Sequence, residues 1–179
     1  MFRFIWAACV LATFIAPQAW AMSLDEAYAS IPHQRTPYSA TSSTATRPQA
    51  EALSRLFDLS DQALVVRASA LAALRSRDEA RLRDVLRGYQ GPLDGLQQAS
   101  AAPEIRQAQA LVLLAVQQHQ AFFEAKLASG LRDASFTPVV HQASGNLRQA
   151  YSLLMSAFPK ETPRNRQAFF DHLCALDFI

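Results

Sequence analysis

The chain is short of the residues that usually disclose a function. It holds only two cysteines, Cys9 and Cys174. Covalent haem attachment is excluded, because no C-x-x-C-H occurs. Also missing are G-x-S-x-G, a phosphate-binding loop, H-E-x-x-H and the Glu-x-x-His pairs of di-iron bundles. Nothing local therefore supports an enzyme, and the chain is read as non-catalytic. Lysine is nearly absent too: Lys126 and Lys160 stand against 15 arginines. With a formal charge of +2 over 179 residues the chain is close to neutral, so nucleic acid is not an expected partner. Glycine numbers five, and three of these fall in one stretch, "GYQGPLDGLQQAS". No segment alternates apolar and polar residues over a useful length, so no sheet is expected.

Long apolar runs are missing as well. The run from Phe4 to Ala16 covers 13 residues, short of the about 20 that a spanning helix needs. It follows Arg3 and precedes Pro17 and the small-x-small triplet Ala19-Trp20-Ala21. That order is the pattern of a secretory signal peptide, with cleavage expected after Ala21. Residues 1–21 are thus read as signal, 22–46 as a short helix and extended arm or linker, and 47–179 as a helical domain. Removing residues 1–21 leaves 158 residues and a charge of +1, since Arg3 departs. One domain of that size buries a working core without disulfides. Cys9 leaves with the signal, so Cys174 has no intramolecular partner. Richness in Ala, Leu, Arg and Gln suggests a bacterial source. The expected location is periplasmic or secreted, with no transmembrane segment after cleavage.

Helical periodicity dominates what remains. Ser23 and Glu26 fit a capping box for a short helix that Pro32 stops. Pro48, Pro103, Pro138 and Pro163 sit where helices begin, the last two behind a threonine cap. Gly130 and Phe158-Pro159 mark ends. The spacing predicts helices at about 47–76, 78–90, 103–129, 138–158 and 163–177, with a break across the glycine-rich stretch. The fold class expected is all-α: an up-and-down bundle of four main helices, plus the short N-terminal helix and the extended arm. The helix near 103–129, apolar almost all round at Leu111–Val116, is expected to be the most central.

A few polar residues stand out against this pattern. His119 interrupts the stripe Ile105, Val112, Val116, Phe123, Leu127, either as a hydrogen-bonded core histidine or as a ligand. Arg67 falls among Leu64, Leu71 and Leu74; it must find a carboxylate, reach carbonyls or extend its head into water. Asp177 projects toward the apolar face of the last helix and is the expected partner, with Asp61 the local alternative. His141 flanks the helix near 138–158. His33 and Arg35 lie in "PHQRTPY", a docked segment or a tether. His172 falls about 160° from Cys174 on a helical wheel, so the two form no local pair. Cys174 is expected to be a buried small hydrophobe alongside Phe169, Phe170 and Leu173.

The functional expectation is an exported, non-catalytic binding or assembly module acting on another envelope protein, with no cofactor. Its candidate binding residues are His33, Arg35, Arg67, His119, His141 and Asp177. The alternative is a bundle holding haem or a metal without covalent attachment, through His119 with another histidine or Met155.

Overall fold

The computed structural model describes residues 22–32, 34–98, 102–131 and 138–177. Among them there is no strand, and the protein is an all-α helical bundle. Helix α1 (Leu24–Ala29) carries the anticipated capping box: Ser23 Oγ accepts from the Glu26 N–H, and the Glu26 carboxylate accepts from the Ser23 N–H. Helix α2 (Arg47–Arg75) starts at a Thr46–Gln49 box with proline in its first turn. Helices α3 (Glu79–Leu86) and α4 (Gln90–Gln97) are joined by a 3-10 turn, Arg87–Tyr89. Helices α5 (Pro103–Ala128), α6 (Pro138–Ala157) and α7 (Pro163–Leu176) complete the fold. No helix among the described residues is long and apolar enough to cross a membrane.

Two expectations are corrected here. The stretch read as a break contains α4. Pro92 falls in its first turn, where a missing N–H costs no intrahelical bond. Gly95 lets α4 approach α2 closely: a Cβ there would lie 2.4 Å from Leu59 Cδ2. Second, α5 is not the hub. Leu114 on α5 is 42 % exposed, whereas α2 contacts α1, α3, α4, α5 and α7. The longest seam joins α5 to α6. The core between these helices is built from Leu53, Phe57, Leu64, Ile105, Val112, Phe123, Leu154 and Phe169, all buried.

The segment 34–46 is no linker. It runs along α2 and α7 and is fastened at several points. Ser39 N–H donates to Asn165 Oδ1 at 3.0 Å, while Asn165 Nδ2 donates back to the Ser39 carbonyl at 3.0 Å. This amide pair mimics one rung of a β-ladder. Thr36 N–H donates to Asp171 at 3.0 Å, and Thr44 N–H to Glu161 at 3.1 Å, with Ser43 Oγ on the same carboxylate. Tyr38 packs between Phe57 and Phe169, with ring centroids 5.4 and 6.1 Å away. The arm's backbone polar groups thus find partners on α7 that water would otherwise supply.

Both long helices α2 and α5 end in Schellman turns. Arg77 N–H donates to Leu74 and Asp78 N–H to Ala73; Gly130 N–H donates to Leu127 and Leu131 N–H to Lys126. The position after the cap needs positive φ, and α5 fills it with Gly130 (φ 64) but α2 with Arg77 (φ 55). An L-residue with a Cβ is disfavoured there by about 1 kcal/mol. Arg77→Gly is expected to raise stability by about 0.5–1 kcal/mol, as a shift in urea midpoint without a change in slope.

Candidate functional site

The most built polar centre lies where α1, the arm, α2 and α7 meet. Along α2 the residues Leu53, Phe57, Asp61, Leu64 and Ala68 share one face, and all are buried. Along α7 the residues Asn165, Phe169, His172 and Leu176 do the same. Each stripe carries an ionisable residue in mid-run, and the two meet: His172 Nδ1 lies 2.7 Å from Asp61 Oδ1. Tyr28 Oη donates to the same oxygen at 2.9 Å, and Arg35 Nη2 to Asp61 Oδ2 at 2.9 Å. The Arg35 guanidinium also sits over the Tyr28 ring, 5.8 Å from its centroid. Phe57 stacks on the imidazole at 4.8 Å between centroids.

Burial alone would push the Asp61 carboxyl up. The hydrogen bond and charge of His172, the Tyr28 hydroxyl and Arg35 outweigh it and hold Asp61 below the usual carboxylate range. Asp61 is therefore an acceptor only, which makes His172 Nδ1 the donor. Tyr28 is shifted upward, by burial first and by Asp61 next, so its hydroxyl keeps its proton and donates. His172 Nε2 is buried and finds no partner. An Asp–His pair of this kind orients an imidazole for proton transfer in many enzymes. Here the outer nitrogen is sealed beneath packed side chains, and no nucleophilic serine, threonine or cysteine contacts it among the described residues. The arrangement acts as a latch: three polar groups, from α1, the arm and α7, share one buried carboxylate on α2.

A second buried centre surrounds Arg67, which is 2 % exposed. Its Nη2 donates to the Ala175 carbonyl at 2.6 Å. Burial pulls its pKa down to about 10, while the Asp177 carboxylate opposes that shift. The guanidinium therefore stays protonated at neutral pH. Ser144 Oγ on α6 donates to the Asp177 carboxylate, so α6 joins this centre as well. His119, fully enclosed, is held far below the usual histidine range by burial and by the Arg67 charge. It is a neutral imidazole in the core.

The remaining candidates disperse. Arg35 belongs to the first centre, and Arg67, His119 and Asp177 to the second. His141 is exposed on α6, and His33 lies outside the described residues. Met155 lines a surface groove, and His172 Nδ1 is committed to Asp61. Among the described residues no group of three or more His, Cys, Asp or Glu is placed to hold a metal ion. The cation beside His119 further disfavours a metal at that nitrogen. The α7 face is also corrected: Phe170 is 38 % exposed and Cys174 is half-buried, while His172 is buried at 3 %. Covered by α2 and the arm on one side and α6 on the other, α7 buries Phe169, Leu173 and Leu176 as expected, but its arc extends to His172 rather than to Phe170 and Cys174.

No protein-family model, curated protein or solved structure matches this chain.

What the surface offers is a groove between α6 and α7. The two helices run antiparallel: Met155 is level with Pro163 and Arg166 at one end, and Leu147 with Cys174 and Asp177 at the other. At the Leu147 end is a cavity of about 300 Å³ lined by Leu147, Arg148, Tyr151, Phe170, Leu173, Cys174 and Asp177. At the Met155 end a wider recess of about 430 Å³ is lined by Tyr151, Met155, Pro163, Arg166, Gln167 and Phe170. Tyr151 and Phe170, edge to face at 5.8 Å, form the sill between them. The Cys174 thiol at the first cavity is pushed up by burial and by Asp177 and Asp171, so it is not an activated thiolate.

Two outcomes test the buried centres. Asp61 has a lowered folded pKa, so its contribution is fully present above its ordinary pKa of about 3.9 and fades as pH falls through the folded value. Asp61→Asn is expected to cost about 3 kcal/mol at neutral pH, with the gap to wild type narrowing below about pH 3 in urea titrations. For the second centre, the cycle of Arg67→Met, Asp177→Asn and the double mutant is expected to show a coupling of about 1 kcal/mol or more; strictly additive losses would separate the two residues.

Proposed function

We propose that this chain is an exported, non-catalytic helical bundle that binds another protein of the bacterial envelope. The observation that carries the proposal is the α6–α7 groove. It is concave, apolar at its Leu147 end and mixed at its Met155 end, where Arg166 and Gln167 line the wall, and no described segment covers it. Phe170, one of only two large hydrophobic residues exposed among those described, lies on its sill. A solvent-facing aromatic over an apolar recess is a recurrent feature of binding surfaces. Export rests on the N-terminal pattern, which lies outside the described residues.

The buried centres support the same reading by elimination. His172, Asp61 and Arg67 are the residues whose chemistry is most suggestive, and all three are consumed in joining helices. The arm, a candidate docking segment on sequence alone, is occupied with its own chain through Asn165, Asp171 and Glu161. Binding therefore falls to the groove rather than to the arm.

A photoreactive phenylalanine analogue placed at Tyr151 or Phe170, in the full-length protein made in a bacterial host with an outer envelope, tests both parts. The expected result is a discrete adduct from the groove positions and none from Leu114, the other exposed hydrophobe, on protein whose N-terminus is Met22. No groove adduct would end the binding proposal. Protein retained in the cytoplasm with residues 1–21 intact would end the export proposal.

A further inference from the structure

The charges around the groove specify what enters it. Residues 138–177 contain three carboxylates, Glu161, Asp171 and Asp177, and all are buried, at 4, 5 and 9 % exposure. Glu161 accepts from the arm, Asp171 from Thr36 and Gln167, and Asp177 from Ser144. The cations of the same hairpin, Arg148, Lys160, Arg164 and Arg166, are all exposed. Among the described residues none of the four forms an ion pair. Elsewhere some exposed cations are paired, Arg47 by Glu51, Arg83 by Glu79 and Arg87 by Asp84, whereas no exposed carboxylate lies on the α6–α7 hairpin. The solvent-facing side of α6 and α7 is thus uniformly positive around an apolar floor.

Position adds a constraint. Arg148 lines the cavity at one end and Arg166 the recess at the other, with the Tyr151–Phe170 contact between them. Arg148 precedes Tyr151 by three residues and Arg166 precedes Phe170 by four, on antiparallel helices. At about 1.5 Å per residue the two guanidinium-bearing positions are separated by roughly 10 Å along the groove, about two turns of a helix. The spacing matches side chains at i and i+7 on one helical face, with the apolar contacts between them supplied at i+3 and i+4.

Resting on the binding reading above, we propose that the groove takes an amphipathic helix of a partner protein. Two carboxylates about seven residues apart would engage Arg148 and Arg166, and apolar side chains between them would enter the recesses on either side of Tyr151–Phe170. A second copy of this chain fits poorly, because pairing the two grooves would oppose Arg148 and Arg166 with the same two cations and no exposed carboxylate of the hairpin. An anionic membrane surface would meet the charges but leave the recesses unfilled. Nucleic acid would leave the apolar floor against polar phosphates.

The test uses two fluorescent helical peptides of about 18 residues that differ only in the charged pair at i and i+7, Glu in one and Lys in the other. Wild type is expected to bind the Glu peptide saturably and to discriminate against the Lys peptide by about tenfold or more. Affinity should fall as salt is raised toward about 1 M, where the Debye length shrinks to about 3 Å. Arg148→Glu with Arg166→Glu, both at exposed positions, should reverse the preference while leaving the circular dichroism and urea midpoint unchanged. Equal binding of both peptides, no saturable binding of either, or a preference unmoved by charge reversal would overturn the inference. So would binding to phosphatidylglycerol vesicles without binding to the Glu peptide, or a groove-dependent dimer in sedimentation. The photocrosslinking separates the two levels. A groove adduct mapping to a partner segment without carboxylates sinks the acidic helix and keeps the binding reading; no groove adduct sinks both.

Discussion

Two buried charges on one helix govern how this protein closes. Asp61 and Arg67 both point from α2 into the protein interior, and neither is tolerable there alone. Helix α7 answers both, Asp61 through His172 Nδ1 and Arg67 through the Ala175 carbonyl. The contacts 57 to 169, 61 to 172 and 67 to 175 advance together, so α2 and α7 run in the same sense. The apolar stripes on either helix would permit sliding by a turn at modest loss. The charges do not, because a one-turn shift removes the His172 hydrogen bond from the Asp61 carboxylate and the Ala175 carbonyl from the Arg67 guanidinium. Apolar burial supplies the bulk of the favourable free energy, and the charge pairs select one register among the packings it would allow.

Much of the fold was legible in residue spacing, and the reasons for the exceptions are physical. Helix starts were readable because prolines and threonine caps leave local signatures, as at Thr162-Pro163. Ends were readable at Gly130 but not at α4, where Gly91, Pro92 and Gly95 resemble breakers. Proline in a first turn and a glycine under Leu59 are compatible with a helix, but only the tertiary contact explains why the second is there. The candidate site was half legible. Arg67 and His119 were visible as polar interruptions of apolar stripes. Asp61 and His172 interrupt stripes in the same manner, at three- and four-residue spacing, yet the expected face of α7 was extended from Phe169 and Leu173 toward Phe170 and Cys174, away from His172. A helix covered from two sides buries more than half its circumference, and a single-helix wheel cannot say which arc that is. The groove charges were readable as residues but not as a set, because burial of Glu161, Asp171 and Asp177 depends on what packs over them.

The latch and the groove divide the chemistry of the molecule. Ionisable groups with unusual surroundings often mark catalysis, yet structural networks perturb them as strongly. Asp61 and His119 are both of the second kind here, displaced from their ordinary ranges by burial and neighbouring charge while closed to solvent. The groove's one shifted group, the Cys174 thiol, is moved away from reactivity. Its character lies in an arrangement of exposed cations and aromatic edges.

The arm has a consequence for the order in which the chain is built. Tyr28, Thr36 and Ser39 are made early, but their partners His172, Asp171 and Asn165 come 144, 135 and 126 residues later. A ribosome releases the first segment long before the last exists. Until α7 emerges, Phe57 and Tyr38 have no Phe169 to close over them, and the α2 stripe stays wet. Contacts this distant in sequence are slow to form and leave sticky intermediates exposed in the interval. The nascent polypeptide must therefore be kept apart from its neighbours until α7 arrives, which makes that helix the timekeeper of assembly.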